Sequence, residues 1–357
     1  MKIIGLMSGS SLDGIDLALC AFEQQENTLL WNILKSATYS YSAEWKSRLV
    51  KLPKSSARDL MLADYEIGYL FGEMIRDFAK GQSVDYIASH GHTLFHEPEN
   101  KMTCQIGNGA AIAQTAGITT INDFRSSDIS LGGHGAPLAS IVDRDLLTEY
   151  AALVNLGGIS NVSFTKKDNV FAYDISPCNQ LLNYLASKCG LEYDKDGEMA
   201  SKGLSHPGLM EEFLKFDFYK LNHPKSLDNN ALQKYFFPIL DGFNLSLIDK
   251  MATAVELIAT TLTTELQKEL SSTGDVSQVL LTGGGAKNKF LVERVRQLNP
   301  NLQIVIPDET LIDFKEALLM AYMGYLRVMG KTNVACSVTG AGKDSISGAI
   351  YLAGKIG

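Results

Sequence analysis

The sequence contains no long uninterrupted apolar run, no cluster of basic residues and no closely spaced cysteine pair. A membrane-spanning helix needs about 20 predominantly apolar residues in a row, and no stretch of the 357 residues predicts one. The net charge of -8 and the absence of Lys or Arg runs disfavour nucleic acid and anionic membranes, because both bind basic faces. The sequence therefore predicts neither a nucleic-acid nor a membrane partner.

Cysteine is scarce, and the N-terminus has no signal peptide pattern. The five cysteines lack CxxC spacing, and such an odd, sparse set predicts reduced thiols without a structural disulfide. The apolar N-terminal run is interrupted at Ser8-Gly9-Ser10-Ser11, before the core of a signal peptide could form. These features predict a cytoplasmic protein.

The two common single-loop nucleotide motifs are also missing. No Gly-x-x-x-x-Gly-Lys-Ser/Thr occurs, and no Gly-x-Gly-x-x-Gly follows a strand and opens a helix. Glycine-rich turns instead follow three apolar strands, where glycine allows a ligand or phosphate to approach the backbone. These turns are Gly9 to Asp16, Gly157-Gly158 and Gly283-Gly284-Gly285. A nucleotide site would therefore be assembled from several strand ends.

The first of these turns is typical of a β-hairpin tip. Apolar runs of strand length, Lys2 to Met7 and Ile15 to Phe22, enclose it. Its backbone N–H groups and hydroxyls could hold a phosphate, and Asp13 or Asp16 could hold the Mg²⁺ that accompanies ATP. Ser, Gly and Asp are equally the residues of an ordinary turn, so both interpretations stand on residue types alone.

The strand, glycine turn and strand of the N-terminus recur at Ala151 to Thr165. Strands come first in each half and alternate with helices later, which predicts an α/β fold with a mixed sheet flanked by helices, present twice. The chain length also exceeds one typical core. We expect domains at 1–147 and 148–340, a C-terminal helix at 341–357 that completes the first domain, and an insertion at about 192–237.

Histidines follow a short predicted strand near residue 90. His90, His92 and His96 lie within seven residues, but their spacing suits neither a zinc finger nor a helix face. These histidines raise the question of a metal site, and their hydrogen bonding to a polyhydroxy ligand is the favoured interpretation.

Two charged residues stand out further along the chain. Arg125 could bind a carboxylate or phosphate through two N–H groups, or could form a structural ion pair with Asp123 or Asp128. Asp174 ends a predicted strand, where a carboxylate could act as a general base or could cap the following helix.

Taken together and in this order, the motifs resemble the anhydro-N-acetylmuramic acid kinases of the sugar kinase, Hsp70 and actin superfamily. The resemblance runs nearly end to end. Its most specific element is Gly5 to Asp16, which matches the family's Ser-Gly-Thr-Ser-x-Asp-Gly-x-Asp with one exchange at Ser10. The supporting matches include His90-Gly91-x-Thr93, Arg125-x-x-Asp128, Gly133-x-Gly135, Asn155-x-Gly157-Gly158, Tyr173-Asp174, Tyr193-Asp194-Lys195-Asp196, Pro224-Lys225-Ser226 and Gly283-Gly284-Gly285-x-x-Asn288.

The resemblance implies two actin-like (ribonuclease H-like) domains, with ATP in an interdomain cleft and sugar in the cleft of the first domain. Residues implied to bind MgATP are Gly9, Ser10, Ser11, Leu12, Asp13, Gly14, Ile15, Asp16, Gly157, Gly158, Gly283, Gly284, Gly285 and Asn288, with Asp13 or Asp16 on the metal. Residues implied to bind the sugar are His90, Thr93, Arg125, Asp128, Gly133 and Gly135. Asp174 matches the catalytic base.

The implied reaction opens 1,6-anhydro-N-acetylmuramic acid with water and phosphorylates O6, giving N-acetylmuramic acid 6-phosphate and ADP in peptidoglycan recycling. The implied partners are therefore an amino sugar and ATP, and similar proteins suggest a homodimer. The chain departs from the family pattern at His92 (usually Gln), at Asn122 (usually Gly) and at Ile175, Ser176 and Cys178 beside Asp174. Three alternatives stay open: another sugar kinase of the superfamily, an actin-like or Hsp70-like switch, and a sugar-binding sensor with degenerate catalysis.

Overall fold

The computed structural model describes residues 1–354 apart from 10, 11, 13, 27, 167, 168, 224, 228 and 271–276, and describes only the backbone of 165, 166, 169, 170 and 229. The chain divides into two compact units. The first unit comprises Met1–Leu146 and Phe314–Gly357, and the second comprises Leu147–Asp313. No helix in the described part of the chain has both the length and the apolar character needed to cross a bilayer.

The described residues in the N-terminal part of the first unit form a series of strands and α-helices. These elements are β1 (Lys2–Ser8), β2 (Ile15–Gln25), β3 (Thr28–Tyr39), α1 (Ala43–Lys51), α2 (Ala57–Phe78), β4 (Tyr86–Glu97), β5 (Met102–Ile106), α3 (Gly109–Ala116), β6 (Thr120–Asn122), α4 (Ser126–Ser130) and α5 (Ser140–Leu146). Strands β1, β2 and β3 pair antiparallel, whereas β4 lies parallel to β1 and β6 lies parallel to β4. The sheet is therefore mixed.

Local sequence explains the packing of the first unit. Helix α2 begins after Ser56, whose side chain accepts a hydrogen bond from the Asp59 N–H and caps the helix. Its buried residues Ile67, Phe71 and Ile75 recur every four positions and form one apolar face. That face packs into the same core as the buried side chains of β1 and β2.

The second unit repeats this plan. Its elements are β7 (Ala152–Leu156), β8 (Ile159–Lys166), β9 (Asn169–Pro177), α6 (Asn179–Ser187), α7 (Pro207–Leu214), α8 (Asn229–Ala231), α9 (Phe237–Gly242), α10 (Leu247–Leu270), β10 (Gln278–Thr282), α11 (Lys289–Leu298) and β11 (Gln303–Val305). Strands β7, β8 and β9 pair antiparallel, and β10 lies parallel to both β7 and β11. The strand order β11-β10-β7-β8-β9 matches β6-β4-β1-β2-β3 of the first unit. This repeated order confirms the predicted α/β fold with two actin-like domains, each a mixed sheet flanked by helices.

The chain returns to the first unit through α12 (Glu309–Val328), followed by α13 (Cys336–Thr339) and β12 (Ala349–Tyr351). The sequence predicts the return at 341, whereas the units divide at 314. The reason is close packing on β1, since a Cβ added to Gly5 would lie 1.8 Å from the Ala317 carbonyl oxygen. Helix α12 therefore belongs to the first unit from 314 onward.

The prediction of a C-terminal helix at 341–357 is wrong. Residues 349–351 form strand β12, which pairs antiparallel with β6 and brings Ala349 opposite Asn122. Gly348 adopts φ +114°, outside the helical region, and ends any helical path into the strand. The segment thus extends the first sheet as an edge strand.

The predicted insertion at 192–237 lies wholly in the second unit. It contains α7, α8 and short 3-10 turns. Phe213 and Phe236 from this segment are fully buried in the core of the second unit. The segment is therefore packed onto the domain.

Candidate active site

The hairpin of the first unit joins β1 to β2, with Ser8 paired to Ile15. Ser10, Ser11 and Asp13, which the sequence assigns to ATP and metal, lie outside the described residues. Gly14 is held close to β3, since an added Cβ would lie 2.7 Å from Thr38 Cγ2. Asp16 is the second residue of β2, and its Oδ1 accepts a hydrogen bond of 2.6 Å from the Thr38 hydroxyl. Gly14 and the Asp16 carboxylate therefore both pack against Thr38 on β3.

A buried polar chain supports the base of the hairpin. The hydroxyl of Ser8 contacts the Tyr41 hydroxyl at 2.6 Å and His92 Nδ1 at 3.0 Å. Burial raises the pKa of Tyr41 to about 12 and lowers the pKa of His92. His92, a departure from the family pattern, is thus a neutral side chain that packs against β1.

His90 and Arg125 are brought together, as the sequence suggests for neighbouring sugar-side residues. Arg125 donates from Nε to His90 Nε2 at 2.9 Å and from Nη1 to the Gly135 carbonyl at 2.6 Å. Because guanidinium only donates, His90 Nε2 is unprotonated, and Nδ1–H donates to the Gly91 carbonyl at 3.1 Å. His90 therefore orients Arg125, and the proposed ion pairs of Arg125 with Asp123 or Asp128 are not found among the described contacts.

The buried His90 leads to a prediction on acid stability. Burial, and secondarily the Arg125 charge, lowers its pKa from 6.5 to about 3. Between about pH 3 and pH 6.5, His90 binds a proton in the unfolded chain but not in the folded chain. The stabilising contribution of His90 is therefore fully present above pH 6.5 and is lost as the pH falls toward about 3. Each such proton contributes a slope of about 1.4 kcal/mol per pH unit.

His90→Gln keeps an acceptor for Arg125 but cannot titrate, so we expect its free energy of unfolding to fall less steeply between about pH 6 and pH 4. Chemical denaturation at several pH values measures this slope. His134→Gln, at an exposed position of the same unit, is the control. An unchanged slope in His90→Gln would contradict the assignment of a neutral buried His90.

Asp128 organises the glycine turn that follows it. The residue is fully buried, its Oδ2 accepts from the Gly135 N–H at 2.7 Å, and its Oδ1 accepts from the Thr339 hydroxyl at 2.7 Å. An added Cβ on Gly133 would lie 2.2 Å from Asp128 Oδ2. Both carboxylate oxygens are thus occupied by protein, and Asp128 shapes the turn that contains Gly133 and Gly135. Thr93 lies half-buried in β4 next to Gln105, whose Nε2 approaches its hydroxyl at 3.4 Å.

The sequence interpretation misses Glu316 on α12. Desolvation by surrounding protein, and then the charge of Asp16, raises the pKa of its carboxyl, whereas Arg125 and Lys315 lower it. Glu316 therefore shares a charged cluster with Asp16 and Arg125 in the first unit. No motif signals this residue, because its neighbours are distant in sequence.

In the second unit, the Gly157-Gly158 turn is bound to the start of α6. The Asn179 N–H donates to the Gly157 carbonyl at 3.0 Å, and the Cys178 and Gln180 N–H groups donate to the Gly158 carbonyl at 2.9 and 3.1 Å. These bonds satisfy N–H groups that a helix otherwise leaves open at its start. The turn is thereby fixed relative to α6.

The Gly283-Gly284-Gly285 turn packs against the end of β7. Gly283 adopts φ +77°, and an added Cβ would lie 2.3 Å from Asn155 Oδ1. A Cβ on Gly285 would lie 2.7 Å from the Leu156 Cβ, whereas on Gly284 it would meet only Asn179 Nδ2 at 3.6 Å. The structure thus brings two of the predicted glycine turns together and leaves space beside Gly284.

A cavity of about 990 Å³ opens beside this turn. Its lining combines Gly284 with apolar side chains such as Ile306 and Ile312 and with the start of the segment 192–237. Asn288 lines it as well and caps α11, because its Oδ1 accepts from the Leu291 N–H at 3.0 Å. The insertion therefore contributes Tyr193 and Asp196 to the cavity that contains the glycine turn.

Asp174 lies half-buried in β9, opposite Asn161 and beside a β-bulge. Bulges often redirect a side chain next to active sites. The Asp174 Oδ2 accepts from the Leu227 N–H at 2.8 Å and from the Ser226 hydroxyl at 3.1 Å. Among the described contacts, the carboxylate of Asp174 accepts from the segment 225–227 and from no N–H group at the start of α6. The alternative role of Asp174 as a helix cap is therefore not observed.

The residues that depart from the family pattern beside Asp174 are buried. Ile175 and Cys178 are 1% and 0% exposed and belong to the apolar core of the second unit. Ser176 is also fully buried, and its hydroxyl contacts the Tyr219 hydroxyl at 3.2 Å. Pro224, next to the segment on Asp174, lies outside the described residues.

Comparison with known proteins gives a consistent result over nearly the whole chain. The sequence model of the family described as "Anhydro-N-acetylmuramic acid kinase" matches residues 1–353. The protein of that name from Sulfurimonas denitrificans is 33% identical, covering 98% of this chain and 98% of the relative. Those from Trichormus variabilis and Aliivibrio fischeri are 32% and 31% identical over 98% and 99% of this chain, and over 97% and 99% of their own length.

Proposed function

Because the chain belongs to the anhydro-N-acetylmuramic acid kinase family, we propose that it opens the 1,6-anhydro ring of this amino sugar and phosphorylates O6 at the expense of ATP. Water adds across the anhydro bond, the γ-phosphoryl group passes to O6, and the products are N-acetylmuramic acid 6-phosphate, ADP and a proton. The observation that carries the proposal is the placement of Asp174 in β9, with its Oδ2 held by two donors.

Asp174 would act as the general base. Ser226 and Leu227 both donate to Oδ2, and among the described residues none donates to Oδ1. Oδ1 is thus available to accept a proton from the water that attacks the anomeric carbon. As that bond forms, the bridging oxygen leaves as O6 and attacks the γ-phosphoryl group.

The glycine turns of the second unit would bind the nucleotide. In the second unit, the cavity beside Gly284 has apolar side chains such as Ile306 and Ile312 for a base and is also lined by Tyr193. Gly157 and Gly158 would approach the phosphates. In the first unit, the hairpin from Gly9 to Asp16 would contribute backbone N–H groups, which stabilise phosphoryl charge.

The residues around the hairpin suit Mg²⁺. This ion is usually held by one or two carboxylates together with substrate phosphates and waters, and Asp16 places a carboxylate at the start of β2. Asp16 or Asp13 would hold it; Asp13 lies outside the described residues. When bound, the ion would neutralise charge on the phosphates.

The sugar would be recognised in the first unit. Arg125 is aligned by His90 and by the Gly135 carbonyl, so its remaining N–H donors would form a rigid fork for the lactyl carboxylate of the substrate. Thr93 and Glu316 would bond sugar hydroxyl or amide groups, and Asp128 would hold the turn at Gly133 and Gly135.

Mass spectrometry of the product in ¹⁸O water tests the function directly. From 1,6-anhydro-N-acetylmuramic acid and MgATP we expect one phosphate on the sugar and one ¹⁸O at C1. Heating or boiling the protein first provides the control. A product without ¹⁸O, or turnover only with intact hexoses, would favour another sugar kinase, and absence of any phosphorylated product would refute the proposal.

The burial of three residues near Asp174 argues against the alternative of a sugar-binding sensor with degenerate catalysis. That alternative depends on the changes at Ile175, Ser176 and Cys178, and all three residues are buried in the second unit. Ile175 and Cys178 belong to the apolar core of the second unit, and the buried Ser176 contacts Tyr219, so the three exchanges change packing next to Asp174 and retain its carboxylate.

A further inference from the structure

The segment 225–227 runs alongside the end of β9 and holds Asp174 at three points. The Asp174 N–H donates to the Lys225 carbonyl at 3.1 Å. The Ser226 hydroxyl and the Leu227 N–H donate to Asp174 Oδ2 at 3.1 and 2.8 Å. The position of the carboxylate therefore depends on where this segment lies.

The segment is itself anchored by a buried lysine. The Lys225 side chain is 2% exposed, and its Nζ lies 2.6 Å from Glu265 Oε1 on α10. The other oxygen of Glu265 accepts from the Tyr173 hydroxyl at 3.2 Å. The ammonium also lies over the rings of Phe218 and Tyr173, at 5.0 and 5.8 Å from their centroids. Lys225 is thus fixed by an ion pair and by two aromatic faces.

Stability alone does not account for this arrangement. Removing two charges from water costs several kcal/mol per ion, and apolar residues of similar volume often replace a buried pair without loss of stability. The contact of Lys225 Nζ with Glu265 Oε1 also ties the segment 225–227 to α10 at a defined point. Tyr173 strengthens the coupling, because it precedes Asp174 in β9 and bonds the same glutamate.

We propose that Lys225 is a positioning residue for the phosphotransfer reaction: paired with Glu265, it fixes the segment 225–227 so that Ser226 and Leu227 hold Asp174 Oδ2 and leave Oδ1 facing the reacting water. This inference rests on the proposed function, because it assigns Lys225 to the alignment of the proposed base. Lys225 itself contacts no substrate in this scheme.

The test compares the variant Lys225→Met/Glu265→Gln with the wild type. This pair removes both charges while keeping side-chain volume, so no buried charge is left without a partner. Misplacement of a catalytic group by about 1 Å can cost about 10²-fold in rate, and we expect kcat to fall by about 10- to 100-fold. The KM values for ATP and for the anhydro sugar should stay within about twofold, because Lys225 acts on the transition state alone.

Ser226→Ala provides a second variant with no risk to the core, since Ser226 is exposed. It removes one of the two donors to Oδ2, and we expect kcat to fall by about 3- to 10-fold, with recovery in Ser226→Thr. In an Asp174→Asn background, Ser226→Ala should not lower the residual rate further, because Ser226 affects the reaction only by positioning the Asp174 carboxylate.

Two results would overturn the inference. Native kcat in a folded Lys225→Met/Glu265→Gln protein would show that the ion pair is structural only. Native kcat in Ser226→Ala would also overturn the inference, even if the double variant failed to fold, because the loss of a donor from the segment 225–227 to Asp174 Oδ2 would then leave the reaction unchanged. Failure of the proposed function would instead appear as an inactive wild type in the same assay.

Discussion

Asp174→Asn is expected to lower kcat by about 10²- to 10⁴-fold, the range that a positioned general base contributes. Asparagine has the same shape, and its amide oxygen can still accept from the Ser226 hydroxyl and the Leu227 N–H that now hold Oδ2. The strand and the segment 225–227 should therefore stay in place. What is lost is the ability to take a proton from water, so the loss should appear in kcat and much less in KM.

The matched control is Asp217→Asn. The Asp217 side chain is 88% exposed and pairs with Lys220 on the surface of the same unit, so this variant should retain wild-type activity. Steady-state coupled assays for ADP measure the rates, and calorimetric titration with ADP shows whether the nucleotide still binds. Full activity in Asp174→Asn with bound nucleotide would remove Asp174 from the mechanism.

Gly283→Ala is expected to give the second large effect, a rise in KM for ATP of at least about tenfold. Alanine at φ +77° is strained, and its Cβ would lie 2.3 Å from Asn155 Oδ1 and 3.0 Å from the Leu156 carbonyl. Strain of this kind costs about 1–3 kcal/mol. The turn must move away from β7, so the free energy of unfolding should fall together with the affinity for ATP.

Two further glycines separate the causes of this loss. At Gly242 an added Cβ meets nothing within 4 Å, so Gly242→Ala should leave stability and KM unchanged. At Gly284 an added methyl meets only Asn179 Nδ2 at 3.6 Å, and Gly284 lines the cavity. We therefore expect Gly284→Ala to fold normally and to raise KM for ATP alone. A wild-type KM in both Gly283→Ala and Gly284→Ala would place the nucleotide elsewhere.

Features that depend on local sequence could be predicted. The repeated strand, turn and strand at residues 2–22 and 151–165 correctly indicated two similar mixed sheets, because alternating apolar runs and glycine turns are local signals. The sequence also predicts that the glycine turns at 157–158 and 283–285 belong to one nucleotide site. Gly283 packs against Asn155 near the first of these turns, and the shared site stays a prediction.

Features that depend on distant contacts could not be predicted. The hold of Ser226 on Asp174 spans 52 positions, and the bond between Thr339 and Asp128 spans 211. The helix predicted for the last residues is replaced by strand β12. This strand forms because it pairs with β6, which is distant in sequence, and no local signal shows that pairing. Glu316 went unrecognised because its cluster with Asp16 and Arg125 exists only once α12 packs onto the first unit.

The return of α12 and β12 to the first unit also has a consequence for the order in which the protein can fold on the ribosome. The second unit is continuous from Leu147 to Asp313, and its final strand, β11, is complete at Val305. The first unit begins the chain, yet its edge strand is made only at residues 349–351. Domains usually fold in the order of synthesis; here the domain that starts first is completed last, and its exposed sheet edge at β6 stays open while the second domain is being made.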